Sequence, residues 1–183
     1  VLFAAAMAAA IAPEDLDHAL AQMASSQHPV VDQLRSLEKA FPDQLHAATD
    51  ITGFGLLGHL GEMLGDTPTN GDPLQVTLEG SAIPSLPGAL ALLTSGHASS
   101  LAPANRRAWQ LLDPPLNQHG AAAVSLNLGS LKAGSQDHQA LLELLIDPQT
   151  CGPLLISAAP PLAEALMNQD PLGWWLIGSA TTA

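Results

Sequence analysis

The sequence predicts an α+β fold, an α/β layered sandwich in which a mixed sheet is flanked by helices, and three observations carry that expectation. Strand-like alternation and helix-like spacing are interspersed along all 183 residues, as in layered domains. Apolar side chains make up 47% of the chain, enough for one sizeable core. Residues 45–64 read as a strand, a glycine turn and a helix in immediate succession, the sharpest local signal in the chain. No fixed-period repeat is present, and residues 1–183 are read as one domain.

Taken in order, the apolar residues 1–7 suit a buried strand or edge element. Pro13-Glu14-Asp15 then places a proline and two acids in the first turn of a helix that reaches about Met23, where the helix dipole favours negative charge. Pro29 opens a second helix in which Val30, Val31, Leu34 and Leu37 recur at helical spacing, and Pro42 closes it. Residues 45–49 form a strand candidate, and Leu57, Leu60 and Leu64 mark one face of the helix after the glycine turn. Residues 74–78 alternate as a strand should, and residues 86–93 suit a helix that Gly96 stops. Residues 95–134 are rich in Pro, Ser, Asn and Gly, with a helix candidate at 106–112 and a strand candidate at 123–128. Helix at 137–145, strand at 154–157, helix at 161–167 and strand at 174–178 complete the reading.

Composition narrows the function. Seventeen acidic against five basic side chains give a net charge of -12, which repels nucleic-acid phosphates and anionic membranes. Tyr is absent and only three Phe and three Trp occur, leaving little aromatic surface for stacking bases or sugars. The single cysteine, Cys151, has no internal disulfide partner, which points to a reducing, cytoplasmic setting. The apolar opening has no basic leader and is shorter than the roughly 20 residues a membrane span needs. With Val rather than Met first, the sequence is expected to start inside a longer protein.

Chemistry concentrates in Thr49-Asp50-Ile51-Thr52-Gly53-Phe54-Gly55-Leu56-Leu57-Gly58-His59. A carboxylate at a strand end can hold a hard cation such as Mg²⁺ bridging phosphates. Glycines let backbone amides approach an anion, and a helix N-terminus offers unpaired N–H groups and positive potential. Gly53, Gly55 and Gly58 also match the G-x-G-x-x-G dinucleotide pattern, with Glu79 beyond the next strand. A carboxylate at Asp50, so close to a cofactor pyrophosphate, argues against that alternative unless a cation intervenes.

The longer run from His46 through Thr49-Asp50-Ile51-Thr52-Gly53-Phe54-Gly55 to His59 resembles the signature block that opens the C-terminal domain of selenophosphate synthetases, the selenide, water dikinases. Asp147-Pro148-Gln149-Thr150-Cys151-Gly152-Pro153-Leu154-Leu155 resembles that family's Asp-Pro-Gln-Thr-Ser-Gly-Gly-Leu-Leu segment, and Trp175-Leu176-Ile177-Gly178 is in keeping with its ending. Cys151 stands where the family usually has Ser and Pro153 where it has Gly, while only Asn105 survives of its Gly-Gly-Thr-x-Arg-Asn stretch. The resemblance implies a C-terminal domain with partial ferredoxin-like topology, detached from an N-terminal half that holds the catalytic Cys or selenocysteine, an essential Lys and most metal-binding acids. The parent enzyme would be a homodimer that converts selenide, ATP and water to selenophosphate, AMP and phosphate. Of the family's Mg²⁺ ligands only one carries over, and it falls on Asp50. Other ATP-using members of the superfamily, aminoimidazole ribonucleotide synthetase and thiamine monophosphate kinase, remain as alternatives, as does a non-catalytic dimerisation or binding domain.

Each candidate also has a plainer role. Asp50 could serve as a turn acid or helix cap. Thr49 and Thr52 could donate hydroxyls to a phosphate or satisfy the turn's own backbone, and Gly53 and Gly55 are expected where backbone geometry requires them. His59, well inside its helix, is read as a hydrogen-bonded structural histidine rather than a base. His18, His28, His46, His97, His119 and His138 show no zinc-ligand spacing. Cys151 lacks the cationic setting of a reactive thiolate and is read as a small buried or loop thiol. Asp147-Pro148 reads as a turn before the strand at 154–157, with a hint of an inter-domain or dimer contact.

Overall fold

A computed structural model describes residues 1–65, 74–112, 123–168 and 173–182. In chain order the elements are α1 (Leu2–Met7), α2 (Pro13–Ala24), α3 (His28–Ala40), β1 (Leu45–Asp50), α4 (Gly55–Gly65), β2 (Leu74–Glu79), α5 (Ala89–Thr94) and α6 (Ala102–Asn105), followed by β3 (Ala123–Asn127), α7 (Gln136–Leu144), β4 (Leu154–Ala158), α8 (Pro160–Asn168) and β5 (Gly178–Thr182). The fold is α+β, as expected, with the strands shared between two sheets. β1 pairs antiparallel with β4, while β2 lies between β3, to which it is parallel, and β5, to which it is antiparallel.

Three elements depart from the sequence reading. Residues 1–7 form α1 rather than a strand. Ala4, Ala5 and Ala6 favour the helix, and burial follows helical spacing, with Leu2 and Ala5 inside and Phe3 and Met7 exposed. The last strand starts at Gly178 instead of ending there. The aromatic run before it is drawn elsewhere: the Trp174 indole N–H donates to Gln33 Oε1 at 2.7 Å, and Trp175 and Leu176 face solvent. Residues 106–112 wind as a 3₁₀ helix. Part of the ill-defined 95–134 stretch, including His119, lies outside the described residues.

Apolar side chains gather in three clusters that set the layers. α4 packs Leu56, Leu57 and Leu60 against Val76 and Leu78 of β2, Val124 of β3 and the buried Leu145 and Ile146 that follow α7. α1, α2, α5 and α7 share a second cluster around Leu2, Ala19, Leu93 and Ala140. In the third, Leu34 and Leu37 of α3 meet Leu162 and Leu166 of α8, with Leu45, Leu154, Ile156 and Ala158 packed against them. Leu155, which points the other way from Leu154 along the strand, packs on the α4 cluster. The β1–β4 pair is therefore a thin layer between α3 and α8 on one side and α4 on the other.

One irregularity in that pair matters for the site. Leu45 faces Ala158 and Ala47 faces Ser157, so His46 is an extra residue in β1. From there Ala48 faces Ile156 and Asp50 faces Leu154. Such a bulge shifts every later side chain to the opposite face. It puts Asp50 on the α3–α8 side, at the open end of the sheet.

Candidate phosphate and metal site

The two sequence blocks, a hundred residues apart in the chain, are knitted into one loop pair. The Ile51 N–H donates to the Pro153 carbonyl at 2.9 Å, the Gln149 N–H to the Thr52 carbonyl at 3.0 Å, and the Leu57 N–H to the Leu145 carbonyl at 2.9 Å. Asn105, 6% exposed, reaches between them, its Nδ2 donating to the Gly53 carbonyl at 2.8 Å and to the Ile146 carbonyl at 3.0 Å. Gln27, at the start of α3, donates through Nε2 to the Gly152 carbonyl. Backbone groups in a turn this well covered need partners, and each block supplies them to the other.

The glycines differ in what they do. Gly55 adopts φ +70°, and a Cβ there would lie 2.6 Å from the Ile146 carbonyl carbon. Only glycine fits such a position. A Cβ on Gly152 would run into the Ile51 carbonyl oxygen. Gly53 is different: it has no positive φ, and a Cβ would meet nothing within 4 Å. Backbone geometry requires glycine at Gly55 but not at Gly53, where the open space instead leaves the backbone approachable.

Asp50 is exposed, at the edge of a groove of about 600 Å³ lined by Ser25, Ser26, Gln27, Thr49, Asp50 and Cys151. Cys151 is an exposed loop thiol at φ +54°, so the buried alternative does not apply. Thr49 is half-buried, and its Oγ1 makes only a long 3.4 Å contact to the Asp50 carbonyl. Thr52 Oγ1 lies 3.0 Å from His59 Nε2. The His59 ring is 7% exposed, with the exposed Phe54 ring 5.6 Å away, and the Arg107 guanidinium sits 6.0 Å from the centre of that Phe54 ring.

Asp147 is buried. Burial pushes its carboxyl above the usual carboxylate range, and Glu143 adds to the rise. A carboxyl raised in the folded state contributes stability at low pH that is lost as pH rises through the folded value.

The donor set constrains a cation here. Among the described residues no group of three or more His, Cys, Asp or Glu converges. Asp50 offers one hard, exposed oxygen ligand. That fits Mg²⁺, which keeps several waters and is held by one or two carboxylates plus substrate phosphates. It does not fit zinc, whose structural sites need four protein ligands. The dinucleotide alternative fails on topology: among the described residues β1 pairs only with the antiparallel β4, and β2 lies in the other sheet, whereas that fingerprint needs a parallel strand–helix–strand unit.

Sequence reasoning missed three residues that the structure brings to this loop. Asn105 was visible as the surviving member of a family stretch. Glu62 stands three residues after His59, a helical neighbour spacing. Arg107 carried no motif signal.

Comparison with known proteins agrees with the two blocks. Residues 4–70 match the family described as AIR synthase related protein, C-terminal domain. A selenide, water dikinase of Rhizobium meliloti (strain 1021) is 39% identical over 145 residues, 79% of this chain and 35% of that protein. Those of Nitratidesulfovibrio vulgaris (strain DP4) and Paraburkholderia xenovorans (strain LB400) are 30% and 35% identical, over 73% and 72% of this chain and 32% and 31% of their own lengths. The chain thus spans about a third of the length of the curated relatives it matches.

Proposed function

Because the chain belongs to the selenide, water dikinase family as a C-terminal-domain homologue, we propose that it supplies one wall of an ATP-dependent phosphoryl-transfer site whose other wall lies in an N-terminal half. The reaction is the conversion of selenide, ATP and water to selenophosphate, AMP and phosphate. The observation that carries this reading is the interlocking of the two blocks, which holds an exposed Asp50 beside an approachable glycine turn.

In this reading Asp50 is a ligand to Mg²⁺ on the ATP phosphates. The metal, when bound, neutralises charge on the transferring group. The chain's own residues do the positioning. β1 and its bulge aim the carboxylate, Gly53 leaves room for a phosphate oxygen to approach the backbone, and the interlocked loops limit how far either can move. Preorganised groups of this kind cost little reorganisation during reaction. Thr49 and Gly55 shape the same turn. Assembly as a homodimer in a reducing cytoplasm is part of the proposal, and the exposed Cys151 thiol suits that compartment. No helix among the described residues is long and apolar enough to cross a membrane.

The test is selenide-dependent AMP formation from ATP by the full-length protein. AMP that accumulates only when selenide and Mg²⁺ are both present supports the reading. ATP consumption that ignores selenide turns the assignment to another ATP-using member of the superfamily, and no ATP consumption leaves a binding domain.

A further inference from the structure

Two arginines stand side by side at the start of the 3₁₀ helix at 106–112, and only one of them is tied into the fold. Arg106 Nε donates to Glu143 Oε1 at 2.8 Å, with Nη2 2.7 Å from the same oxygen, and its guanidinium lies 5.7 Å from the centre of the Trp109 ring. Arg107 is exposed and has no ion pair or hydrogen bond through its side chain among the described residues; its guanidinium sits 6.0 Å from the centre of the Phe54 ring. In a chain with seventeen acidic and five basic side chains, an arginine that rests on an aromatic ring instead of a carboxylate calls for a reason.

That ring is built into the glycine turn. Phe54 stands between Gly53 and Gly55. A Cβ on Gly58 would lie 2.5 Å from Phe54 Cβ, so glycine one helical turn on gives the Phe54 side chain its seat, and the His59 ring packs 5.6 Å from it. Two residues before Arg107, Asn105 donates to the Gly53 carbonyl. Residues 105–107 are thus tethered to Gly53 and to Phe54 by two separate contacts, which bring a cation to a turn where residues 49–58 include no Lys or Arg. Arg35 and Lys39 line a different groove, at the end of α3, together with Glu38 and Asp43.

A guanidinium drawn to an aromatic ring is held without using up its N–H groups. Those donors form a planar fork that matches a pair of phosphate oxygens. The Gly53 backbone beside the ring has open space where a Cβ would be, room for an anion to come close.

We infer that Arg107 is a phosphate-binding residue of the ATP site and that Phe54 is its positioning residue, the ring holding the guanidinium at the turn so that its N–H fork meets a phosphate oxygen brought to Gly53. This rests on the phosphoryl-transfer reading above. It gives Gly58 and Phe54 a joint task, one making room for the platform that the other provides.

Calorimetric titration of the full-length protein with Mg²⁺–ATP, and with Mg²⁺–tripolyphosphate as a probe that has the phosphates but no nucleoside, tests the assignment. Arg107→Gln should weaken both about tenfold or more, the scale of a hydrogen bond to a charged group, with the melting temperature within about 2 °C because the side chain is exposed. Arg107→Lys keeps the charge but not the fork and should recover part of the loss. Phe54→Leu should weaken Mg²⁺–ATP about threefold, the scale of an exposed cation–π contact, and should add nothing in the Arg107→Gln background. A Phe54→Leu loss that persists in that background overturns the platform role, and an Arg107→Gln loss confined to ATP overturns the phosphate contact. A wild type that binds both ligands and keeps both affinities in Arg107→Gln sinks the arginine alone, whereas a wild type that binds neither sinks the phosphoryl-transfer reading and the arginine's role with it.

Discussion

The two sheets are built from similar strands and held by different means. β2 buries Val76 and Leu78 to 6% and 3% exposure and is paired on both sides. Its alternation alone decides which face goes inward. β1 has a single partner among the described residues, is half-covered along its length and carries an extra residue. Its register is completed by loop bonds from the second block, from Asn105 and from Gln27. The strand presenting a carboxylate to solvent is thus fixed by directional bonds around its end, while the strand with no such duty is fixed by burial.

Breaking the loop at its tightest point should have the largest effect. Gly55→Ala forces a left-handed residue and a clash with the Ile146 backbone, and should cost about 3 kcal/mol or more, read as a drop in the urea midpoint. Val76→Ala strikes the other sheet and should cost about 2 kcal/mol through lost burial and a cavity. Selenide-dependent activity below the melting transition should survive Val76→Ala, because nothing at the Asp50 end moves.

Asn105→Ala leaves the buried Ile146 carbonyl and the half-buried Gly53 carbonyl without their donor and should cost about 1.5 kcal/mol. Unlike Val76→Ala, it should also lower activity in folded protein by loosening the turn. Equal activity losses in the two variants would erase the distinction between the sheets. Gly53→Ala should change stability by less than about 0.5 kcal/mol, as surface substitutions do, while weakening Mg²⁺–ATP binding. A large loss of stability there would show that Gly53 is a backbone requirement after all.

How much of this was legible follows the same divide. The proline and acids of its first turn marked α2, and periodicity sufficed for α3 and β2, whose buried residues recur at the spacing of their element. It failed at residues 1–7, where every position is apolar and only alanine's helix propensity separates strand from helix. It failed again at residues 174–178, where an aromatic run suggests a strand but the Trp174 indole is tied to Gln33. Asp50, Thr52 and Gly55 stood out as candidates because a single block, residues 49–59, holds all three. The face on which Asp50 emerges was not legible, since a one-residue bulge at His46 has no pattern of its own. Nor was the Asn105 clamp, because a contact between residues 53, 105 and 146 leaves no local trace.

The most direct test of the central claim is Asp50→Asn in the full-length protein, with kcat for selenide-dependent AMP formation and the melting temperature measured together. The side chain is exposed at a strand end, so the melting temperature should stay within about 2 °C. The rate should fall at least about a hundredfold with the lost charge on the metal–phosphate cluster. Wild-type activity in Asp50→Asn would contradict the account and reduce the block around Asp50 to a structural turn.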